Sequence, residues 1–371
     1  MVVEDRTTAN RSKAADDTYA ICLCAYNEEA VIRDKIVNLL DLRRHTEGDL
    51  EILIYVDGAS DRTADIVHEF DDDITAIISN ERHGKTYGMN LLVRHTEASI
   101  LVFTDATVMV EKDAINRLRD YFADDDIGCV TAHLRYVNAD ASATSEVGAA
   151  YWQFDEWTKR LESATGSAMG ADGSLFAMRR DVHQPVPEDL IDDLYLSFHV
   201  LCSGKRVVQA DDVVAYEPHA TSVRDEYRRK IRISQQCINV HQELWPRIRK
   251  LSFWNIYKYL THRYLRWTGG YLLLASALLI FAAIGQAFGS MVMLSVLGCG
   301  LIALTLGIFL ELRPFTQIAN VLVAFAGNSV GTWRAYMGRR LPTWELAASA
   351  RPDSKTASGK RYLTPLQERD I

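Results

Sequence analysis

Apolar runs alternate with stretches of helical periodicity over the first third of the chain. Runs of five to eight residues suit strands that are buried on both faces, and these runs span residues 18–25, 50–56, 74–79 and 101–105. Apolar residues recur every three to four positions over residues 30–42, 63–70 and 86–96. This alternation predicts βαβ units, and therefore an α/β fold with a mostly parallel sheet and right-handed crossovers.

Acidic residues stand where the predicted strands end. Asp57 follows the second strand and Asp105 ends the fourth, while Asp192 and Asp193 open a predicted helix further along the chain. In open α/β sheets, ligands bind beyond the carboxyl ends of the strands, so we expect these carboxylates to converge on one cleft. The alternative is that each of them caps a turn or a helix, since Asp is common in both positions.

Further elements are predicted in the middle of the chain. A helix over residues 149–161 carries four aromatic residues on one face, a stripe more typical of a core than of a sugar-stacking platform. These residues are Tyr151, Trp152, Phe154 and Trp157. Two short strands at residues 206–208 and 213–216 precede a basic helix at residues 224–236, so the charged α/β pattern continues to residue 250.

The last third of the chain differs in composition. Residues 271–288 and 291–310 contain no Asp, Glu, Lys or Arg, and apolar runs of about 18–20 residues are long enough to cross a bilayer as helices. Residues 251–260 are amphipathic and predict a helix in the membrane interface. A third apolar stretch, residues 315–333, is interrupted by three Asn or Gln residues, so the sequence leaves two or three crossings open.

The chain length, the net charge and the distribution of basic residues limit the possible classes of protein. A chain of 371 residues exceeds the size at which one core keeps growing, so more than one structural unit is expected. The formal net charge of −8 argues against a nucleic-acid partner. Basic residues gather between residues 224 and 266, before the first predicted span, and the positive-inside rule then predicts a multi-pass protein of the cell membrane with a cytoplasmic N-terminal unit.

Two further features concern processing and redox state. The first 18 residues are polar and charged, lack the apolar core of a signal peptide, and are expected to form a disordered lead-in. The six cysteines form no C-x-x-C pair, so we expect reduced thiols rather than a zinc site.

The residues after the predicted strands have the side chains that transfer from a nucleotide sugar requires. Asp57 would accept hydrogen bonds from the base or the ribose, and Lys85, which follows a glycine in a strand-to-helix turn, would bind phosphate as a compact cation. Asp105 would hold a divalent ion that bridges the diphosphate oxygens. Asp193 would be the general base that deprotonates an acceptor hydroxyl.

Six short motifs follow one another along the chain. They are AYNEE at residues 25–29, VDGASDRT at 56–63, HGKTYGMN at 83–90, FTDAT at 103–107, GADGSLFA at 170–177 and IDDLYL at 191–196. Their order over residues 19–240 resembles the glycosyltransferase family 2 enzymes, and more closely the membrane-anchored cellulose, chitin and hyaluronan synthase-like branch. The resemblance implies a GT-A fold, a nucleotide-sugar donor such as a UDP-sugar, inversion at the anomeric carbon, and a divalent metal, Mg²⁺ or Mn²⁺.

The resemblance also assigns roles to individual residues. Tyr26, Asp57 and Lys85 match donor-binding positions, and Asp105 matches the first acid of the Asp-x-Asp metal motif. Asp172 lies in the segment that faces the acceptor, a glycan or a lipid-linked molecule. Asp193 matches the catalytic base.

Two departures from the family pattern bear on the metal and on polymerisation. Thr107 stands where the second acid of Asp-x-Asp is expected, which leaves one firm carboxylate ligand from this turn. The Gln-x-x-Arg-Trp signature of processive synthases has a candidate only at residues 235–239, without its Arg-Trp pair. Arg228, Arg229 and Arg232 are the nearby residues that would hold the diphosphate instead, so the sequence predicts sugar transfer and leaves long-chain polymerisation open.

These inferences together predict a domain organisation. Residues 19–245 are expected to form a cytoplasmic GT-A domain and residues 246–268 an interfacial amphipathic segment. Two or three transmembrane helices are expected within residues 269–340, and a polar tail at residues 341–371.

Two other functions stay open at this point. One is a non-catalytic membrane component of a polysaccharide assembly or export system that binds a nucleotide sugar or a partner. The other is a nucleotidyltransferase on a related α/β fold, which the lack of a Gly-rich phosphate loop before the basic residue disfavours.

Overall fold

An open α/β domain is followed by long apolar helices. A computed structural model describes residues 17–137, 143–218 and 222–340, and within the helix at residues 143–164 it describes side chains from residue 152 onward. Residues 1–16 of the expected lead-in, and the whole expected polar tail at residues 341–371, lie outside the described residues.

Strands and helices alternate through the α/β domain as the sequence predicted. The strands are β1 (Tyr19–Ala25), β2 (Leu50–Asp57), β3 (Thr75–Ser79), β4 (Ile100–Asp105), β5 (Met109–Val110), β6 (Ile127–Tyr136), β7 (Leu175–Arg179) and β8 (Arg206–Glu217). The helices are α1 (Ile32–His45), α2 (Thr63–His68), α3 (Lys85–Val93), α4 (Ala114–Phe122), α5 (Ala143–Ala164), α6 (Asp192–Cys202) and α7 (Val223–Ile248).

The eight strands form one mixed sheet in the order β3-β2-β1-β4-β7-β6-β8-β5. The first four strands pair in parallel, with β1 between β2 and β4, so the predicted parallel sheet is confirmed for this half. β7 runs antiparallel to both β4 and β6, whereas β6 and β8 are parallel. Because Thr104 of β4 pairs with Leu175 of β7, the loop that precedes β7 lies beside the carboxyl end of β4.

The strand β4 is buried between two layers of helices. Val102 joins a core that includes residues of α1 and α4, whereas Leu101 and Phe103 join a core that includes residues of α3, α6 and α7, because successive side chains of a strand point to opposite faces. The ring of Phe103 stacks on that of Phe176 in β7, with centroids 4.9 Å apart. Burial of each such side chain stabilises the fold by about 1.5–3 kcal/mol, so Asp105 extends from a well-packed strand.

The structure corrects the prediction of two short strands in the second half of the domain. Residues 206–208 and 213–216 belong to one strand, β8, whose pairing with β6 shifts between Ala132 and His133. Asp211 and Asp212 lie in this irregularity and are exposed. Polar residues in a bulge interrupt the apolar pattern without ending the strand, and that interruption suggested two strands.

The structure also corrects the expectation that the aromatic stripe lies in the core. Phe154 and Trp157 on α5 are 61% and 52% exposed, and Trp152 is half-buried. The side chain of Tyr151 lies outside the described residues. Helical spacing shows which residues of α5 share a face, but it does not show whether another element covers that face.

Two helices in the described part of the chain are long and apolar enough to cross a membrane. The first runs from Phe253 to Phe288 over 36 residues and comprises α8 (Phe253–Lys258), a π-helical segment (Tyr259–Tyr264) and α9 (Leu265–Phe288). The second is α10 (Ser290–Phe309), with 20 residues. Most side chains of α9 and α10 are exposed, and apolar helices with such surfaces need an apolar solvent or a partner to cover them.

The third apolar stretch forms α11 (Arg313–Tyr336), which is not one of these two candidate spans. α11 packs closely along α7, where a side chain at Gly331 would clash with Ser234 and with the backbone of Ile231. Gly270 of α9 is crowded in the same way by Ser329. The end of α11 therefore returns to the α/β domain.

Candidate active site

Lys85 and Asp105 meet at the carboxyl end of β4. Lys85 is the first residue of α3, and its Nζ lies 2.8 Å from Asp105 Oδ1 and 3.5 Å from Asp192 Oδ2. Burial opposes the charge of Lys85, but the adjacent Asp105 and Asp192 carboxylates outweigh that effect and raise its pKa. The lysine is therefore held as a cation beside a carboxylate that is still 38% exposed to solvent.

Asp57 supports the turn that precedes Lys85. Its Oδ1 accepts a hydrogen bond from the backbone N–H of His83 at 2.7 Å, and its Oδ2 accepts one from Gly84 at 2.9 Å. Gly84 has a φ of +101°, which an L side chain rarely adopts. Asp57 is 4% exposed, so its main contact in this structure is with the turn that presents Lys85.

Asp193 lies in the first turn of α6, beside Asp192. Its Oδ1 accepts a hydrogen bond from the backbone N–H of Leu194 at 2.6 Å, and a Cβ added to Gly173 would lie 2.8 Å from its Oδ2. Burial and the Asp192 charge raise the pKa of Asp193 to about 7, against the lowering effect of Lys85. We call Lys85, Asp105, Asp192 and Asp193 the Lys85 cluster. A carboxylate with a pKa near neutrality suits proton transfer.

One arginine of α7, Arg232, faces this cluster, and a second, Arg229, lies beside it. Burial and the neighbouring Arg229 lower the pKa of Arg232 to about 10, while the Asp105 and Asp193 charges act in the opposite direction. Arg229 lies 3.7 Å from Glu226 Oε2 and also interacts with Tyr136. The structure therefore brings both predicted arginines toward the end of β4.

Glu217 is a candidate site residue that the sequence reasoning missed. It ends β8, and β8 pairs with β5 through Met109 and Tyr216, just after the turn that contains Asp105. Ser174 Oγ donates a hydrogen bond to Glu217 Oε2 at 3.0 Å, and the carboxylate interacts electrostatically with Arg229 and Asp105. Burial raises the pKa of Glu217. Its position directly after the predicted strand at residues 213–216 was a signal that the sequence reasoning did not use.

Lys35 of α1 is a second residue that the sequence reasoning missed, and its side chain supports the turn that contains Asp105. Its fully buried ammonium donates hydrogen bonds to Thr104 Oγ1 and to the backbone oxygen of Val108, on either side of the turn. Burial lowers the pKa of Lys35 to about 7, with Asp105 acting in the opposite direction. A single lysine in the apolar pattern of α1 was the only sequence signal.

Asp172 belongs to a second group of charges, which we call the Lys159 cluster: Lys159, Asp155, Glu156 and Asp172. Carboxylate oxygens of the three acids lie within 4.8 Å of one another, a geometry that could hold a metal ion. The ammonium of Lys159 already lies among them, 2.5 Å from Glu156 Oε1, 3.5 Å from Asp155 Oδ2 and in contact with Asp172. We therefore interpret Lys159 as the cation of this cluster.

Tyr26 lies at the rim of the cleft, just after β1. The guanidinium of Arg82 stacks over its ring, 3.8 Å from the centroid. Of the predicted site residues, Lys85, Asp105, Asp193 and Arg232 converge on one cleft, and Arg229 adjoins it. Three other predicted site residues lie outside this group and contact the segments around the cleft: Asp57, Tyr26 and Asp172.

Comparisons with known proteins agree with this architecture. The family model described as glycosyl transferase family 2 matches residues 20–186. A mannosyltransferase from Pyrobaculum calidifontis, PcManGT, solved in complex with GDP-Man and Mn²⁺, superposes with a TM-score of 0.67 over 90% of this chain and 96% of that one. At 19% sequence identity, this likeness concerns the fold.

Two curated relatives match the α/β domain. A poly-beta-1,6-N-acetyl-D-glucosamine synthase from Staphylococcus aureus is 24% identical over 205 residues, which cover 53% of this chain and 47% of that protein. A beta-monoglucosyldiacylglycerol synthase from Trichormus variabilis is 26% identical over 190 residues, which cover 49% of this chain and 40% of that protein. The chain thus spans about half or less of the length of these relatives.

The fold is that of the GT-A class of nucleotide-sugar transferase domains. Residues 20–186 match the model of glycosyl transferase family 2, the family that the sequence motifs resemble.

Proposed function

We propose that this protein is an inverting, metal-dependent glycosyltransferase that moves a sugar from a nucleotide-sugar donor to a hydroxyl of a glycan or lipid-linked acceptor at the cytoplasmic face of the cell membrane. The observation that carries the proposal is the Lys85 cluster, in which a cation, an exposed carboxylate and a carboxylate with a pKa of about 7 share one cleft. The nucleotide-sugar relatives of the same fold support the reaction class.

The donor diphosphate would be bound by cations. The side chain of Lys85 lies in the cleft on the α3 side, and Arg232 lies there on the α7 side, with Arg229 beside it. Positive charge therefore lies on two sides of the position beyond β4. Tyr26 and Asp57 would contact the nucleotide near the ends of β1 and β2. We propose a UDP-sugar as donor, as the sequence resemblance implies.

Asp105 and Glu217 fit a divalent metal. Both are carboxylates at the last residue of a strand, and they interact electrostatically with each other. Mg²⁺ and Mn²⁺ take one or two carboxylates and complete their coordination with phosphate and water. Glu217 would replace the acid that Thr107 does not provide. The metal, when bound, neutralises charge that develops on the leaving diphosphate.

Asp193 would act as the general base. Its carboxylate takes the proton of the acceptor hydroxyl while the acceptor oxygen forms a bond to the anomeric carbon and the bond from that carbon to the diphosphate oxygen breaks. A single displacement of this kind inverts the anomeric configuration. Because its pKa is about 7, about half of the Asp193 carboxyl groups are ionised at neutral pH, and the carboxylate still binds a proton well.

The membrane arrangement follows from the helices. We propose that α9 and α10 form a membrane hairpin and that α11 stays on the side of the α/β domain, because its last turns pack on α7. Basic residues before the first span put that side in the cytoplasm by the positive-inside rule. The units would then be the domain at residues 19–245, the interfacial segment at 246–268 and the membrane helices within 269–340.

The test is release of nucleoside diphosphate by the detergent-solubilised protein over a panel of nucleotide sugars, with Mg²⁺, Mn²⁺ or EDTA. We expect metal-dependent release from one donor, and loss of release in Asp105→Ala. Tight donor binding without turnover, for every donor and with membrane lipids supplied, would contradict the proposal and favour a non-catalytic component of polysaccharide assembly.

A further inference from the structure

A large groove lies beside the candidate active site, on the membrane side of the α/β domain. It has a volume of about 1240 Å³ and is enclosed by α5, α7, the helix that contains α9, and α11. Its walls are mostly apolar side chains, such as Leu272 and Leu273 of α9 and Val321 and Phe325 of α11. None of the residues of the Lys85 cluster lines it. The groove is therefore a separate cavity from the cleft at the end of β4.

The groove is continuous with the surface that would contact lipid. Leu272 and Leu273 belong to the first candidate membrane span and are 53% and 44% exposed. Trp254 and Tyr257 of α8 line the groove near the start of that span, and they are also largely exposed. Aromatic residues are enriched where a protein crosses the membrane surface. The exposed ring of Phe154, which the α/β core leaves uncovered, lines the groove as well.

The charged side chains that line the groove are matched by partners within the protein. Lys230 lies 3.4 Å from Glu226 Oε1, and Arg266 pairs with Asp155. Lys258 Nζ donates to the backbone oxygens of Glu162, Thr165 and Ser167 at 3.0–3.2 Å.

His262, the remaining basic residue of the lining, is also matched. One of its nitrogens lies 2.8 Å from Glu162 Oε1, and the other lies 3.0 Å from Asp155 Oδ1. Basic side chains that already have hydrogen-bond or ion-pair partners in the protein attract an anionic head group weakly, so the groove favours a long apolar molecule with an uncharged polar end.

Two elements connect the groove to the active site. Lys230 lines the groove, while Arg232 of the same helix faces the cleft and Arg229 adjoins it. In the π-helical segment, His262 lines the groove, whereas the guanidinium of Arg263 donates to the backbone oxygens of Met169 and Gly170. These two residues precede Gly173 in the loop that contacts Asp193, so the groove lining is connected to the proposed base through one helix and one loop.

We propose that this groove holds the apolar chains of the acceptor, and that the acceptor is a membrane lipid with an uncharged, hydroxyl-bearing head group of the diacylglycerol class. The inference rests on the proposed function, because it names the acceptor class for the transferase. It depends on the apolar walls, on their continuity with the first candidate membrane span, and on the basic side chains of the lining, which already have partners within the protein.

The first test uses the full chain in nanodiscs of a zwitterionic lipid that contain a photoactivatable diacylglycerol. We expect crosslinks concentrated on groove residues of α9 and α11, with at least about tenfold less labelling when the probe is a photoactivatable phosphatidic acid. Labels spread evenly over the outer faces of α9 and α10, or equal labelling by the anionic probe, would overturn the proposal.

The second test compares two variants of α11. Ala324 lines the groove, whereas Ala326 lies two residues on, is exposed, and is outside the lining. Ala324→Trp should lower sugar transfer to diacylglycerol by about tenfold or more and leave hydrolysis of the donor by water within about twofold of the wild type, while Ala326→Trp should transfer normally. Equal transfer by both variants would overturn the groove as the acceptor site.

The two assays separate the inference from the proposed function. A wild-type protein that hydrolyses a donor but transfers no sugar to diacylglycerol overturns the acceptor assignment and leaves the transferase proposal in place. A wild-type protein that turns over no donor overturns the proposed function, and the crosslinking experiment then still reports whether the groove binds a neutral lipid.

Discussion

The Lys85 cluster and the Lys159 cluster have the same composition, one lysine and three carboxylates, but different exposure. The Lys85 cluster lies at the carboxyl edge of the sheet, where the side chain of Asp105 is 38% exposed. Asp105 is therefore accessible to a ligand from solvent. In the Lys159 cluster, the side chains of Lys159 and Asp155 are fully buried, and those of Glu156 and Asp172 are 5% and 8% exposed. A site for substrates needs accessible ligands, whereas a closed ion cluster holds a structure together.

The position of each cluster explains this difference. The Lys85 cluster is built from the first turns of two helices and the end of one strand, so its charges point to the same open edge. The Lys159 cluster joins α5 to the loop before β7, and Asp155 also contacts His262 of the π-helical segment and Arg266 of α9. We infer that the second cluster fixes the α/β domain to the first candidate membrane helix.

The largest expected effect is on catalysis, from Asp193→Asn. Loss of the general base should lower transfer by about 10²–10⁴-fold, because the amide cannot take the acceptor proton. Thermal unfolding should change little, and Asp211→Asn, in the exposed irregularity of β8, should behave as the wild type. Initial rates of nucleoside diphosphate release measure the effect. Full turnover in Asp193→Asn would remove this residue from the role of base.

The next largest effect is on the free energy of unfolding, and it distinguishes Lys159 from Lys85. Lys159→Met removes the ammonium that three buried carboxylates share, and although Asp155 keeps His262 and Arg266 as partners, breaking a buried ion pair in this way costs about 3–5 kcal/mol of folding free energy. Lys85→Met should cost less, because Asp105 is partly solvated, although it removes a partner of the buried Asp192 and should impair donor binding. Denaturant unfolding of both variants, with the exposed Lys250→Met as control, gives the comparison. Equal stability losses would contradict the assigned difference between the clusters.

The pH dependence of transfer tests the environment of Asp193. Since its pKa is raised to about 7, the base is protonated and inactive below that pH, and kcat/KM should rise with pH until about 7 and then level off. The folded state holds this proton more tightly than the unfolded state, so the same group lowers stability as pH rises from 3.8 to about 7.

A variant of the neighbouring acid sharpens this test. Asp192→Asn removes a charge that raises the pKa of Asp193, and it should move the rising limb of the kcat/KM profile to lower pH. Glu188→Gln, a nearby exposed position, should leave the profile in place. An unchanged limb in Asp192→Asn would show that another group titrates.

The smallest expected effect concerns the metal. Glu217→Gln should weaken Mn²⁺ binding by about tenfold, and Asp105→Asn should weaken it more, because one oxygen of Glu217 already accepts a hydrogen bond from Ser174. Titration of free Mn²⁺ by electron paramagnetic resonance measures this without turnover. Wild-type affinity in Glu217→Gln, together with loss of binding in Asp105→Asn, would assign the site to Asp105 without Glu217.

Sequence patterns by themselves determined the first half of the sheet and the position of Asp57, Lys85 and Asp105 at its edge. Parallel strands buried on both faces are encoded locally, as continuous apolar runs separated by helical periodicity, and the residue after each run lies at the carboxyl edge whatever the later packing. The motifs between residues 25 and 196 indicated the family whose model matches residues 20–186. The same local rule predicted the two long apolar helices.

Only the tertiary structure decided which distant segments complete the site. The pairing of β8 with β5 brings Glu217 to the Asp105 turn across more than 100 residues of sequence, and the insertion of β7 brings Gly173 to Asp193. Exposure of Phe154, and burial of Lys159 among three acids, likewise depend on which elements pack nearby. Periodicity reports the face of an element, but the partner of that face is set by long-range packing, so the sequence leaves it open.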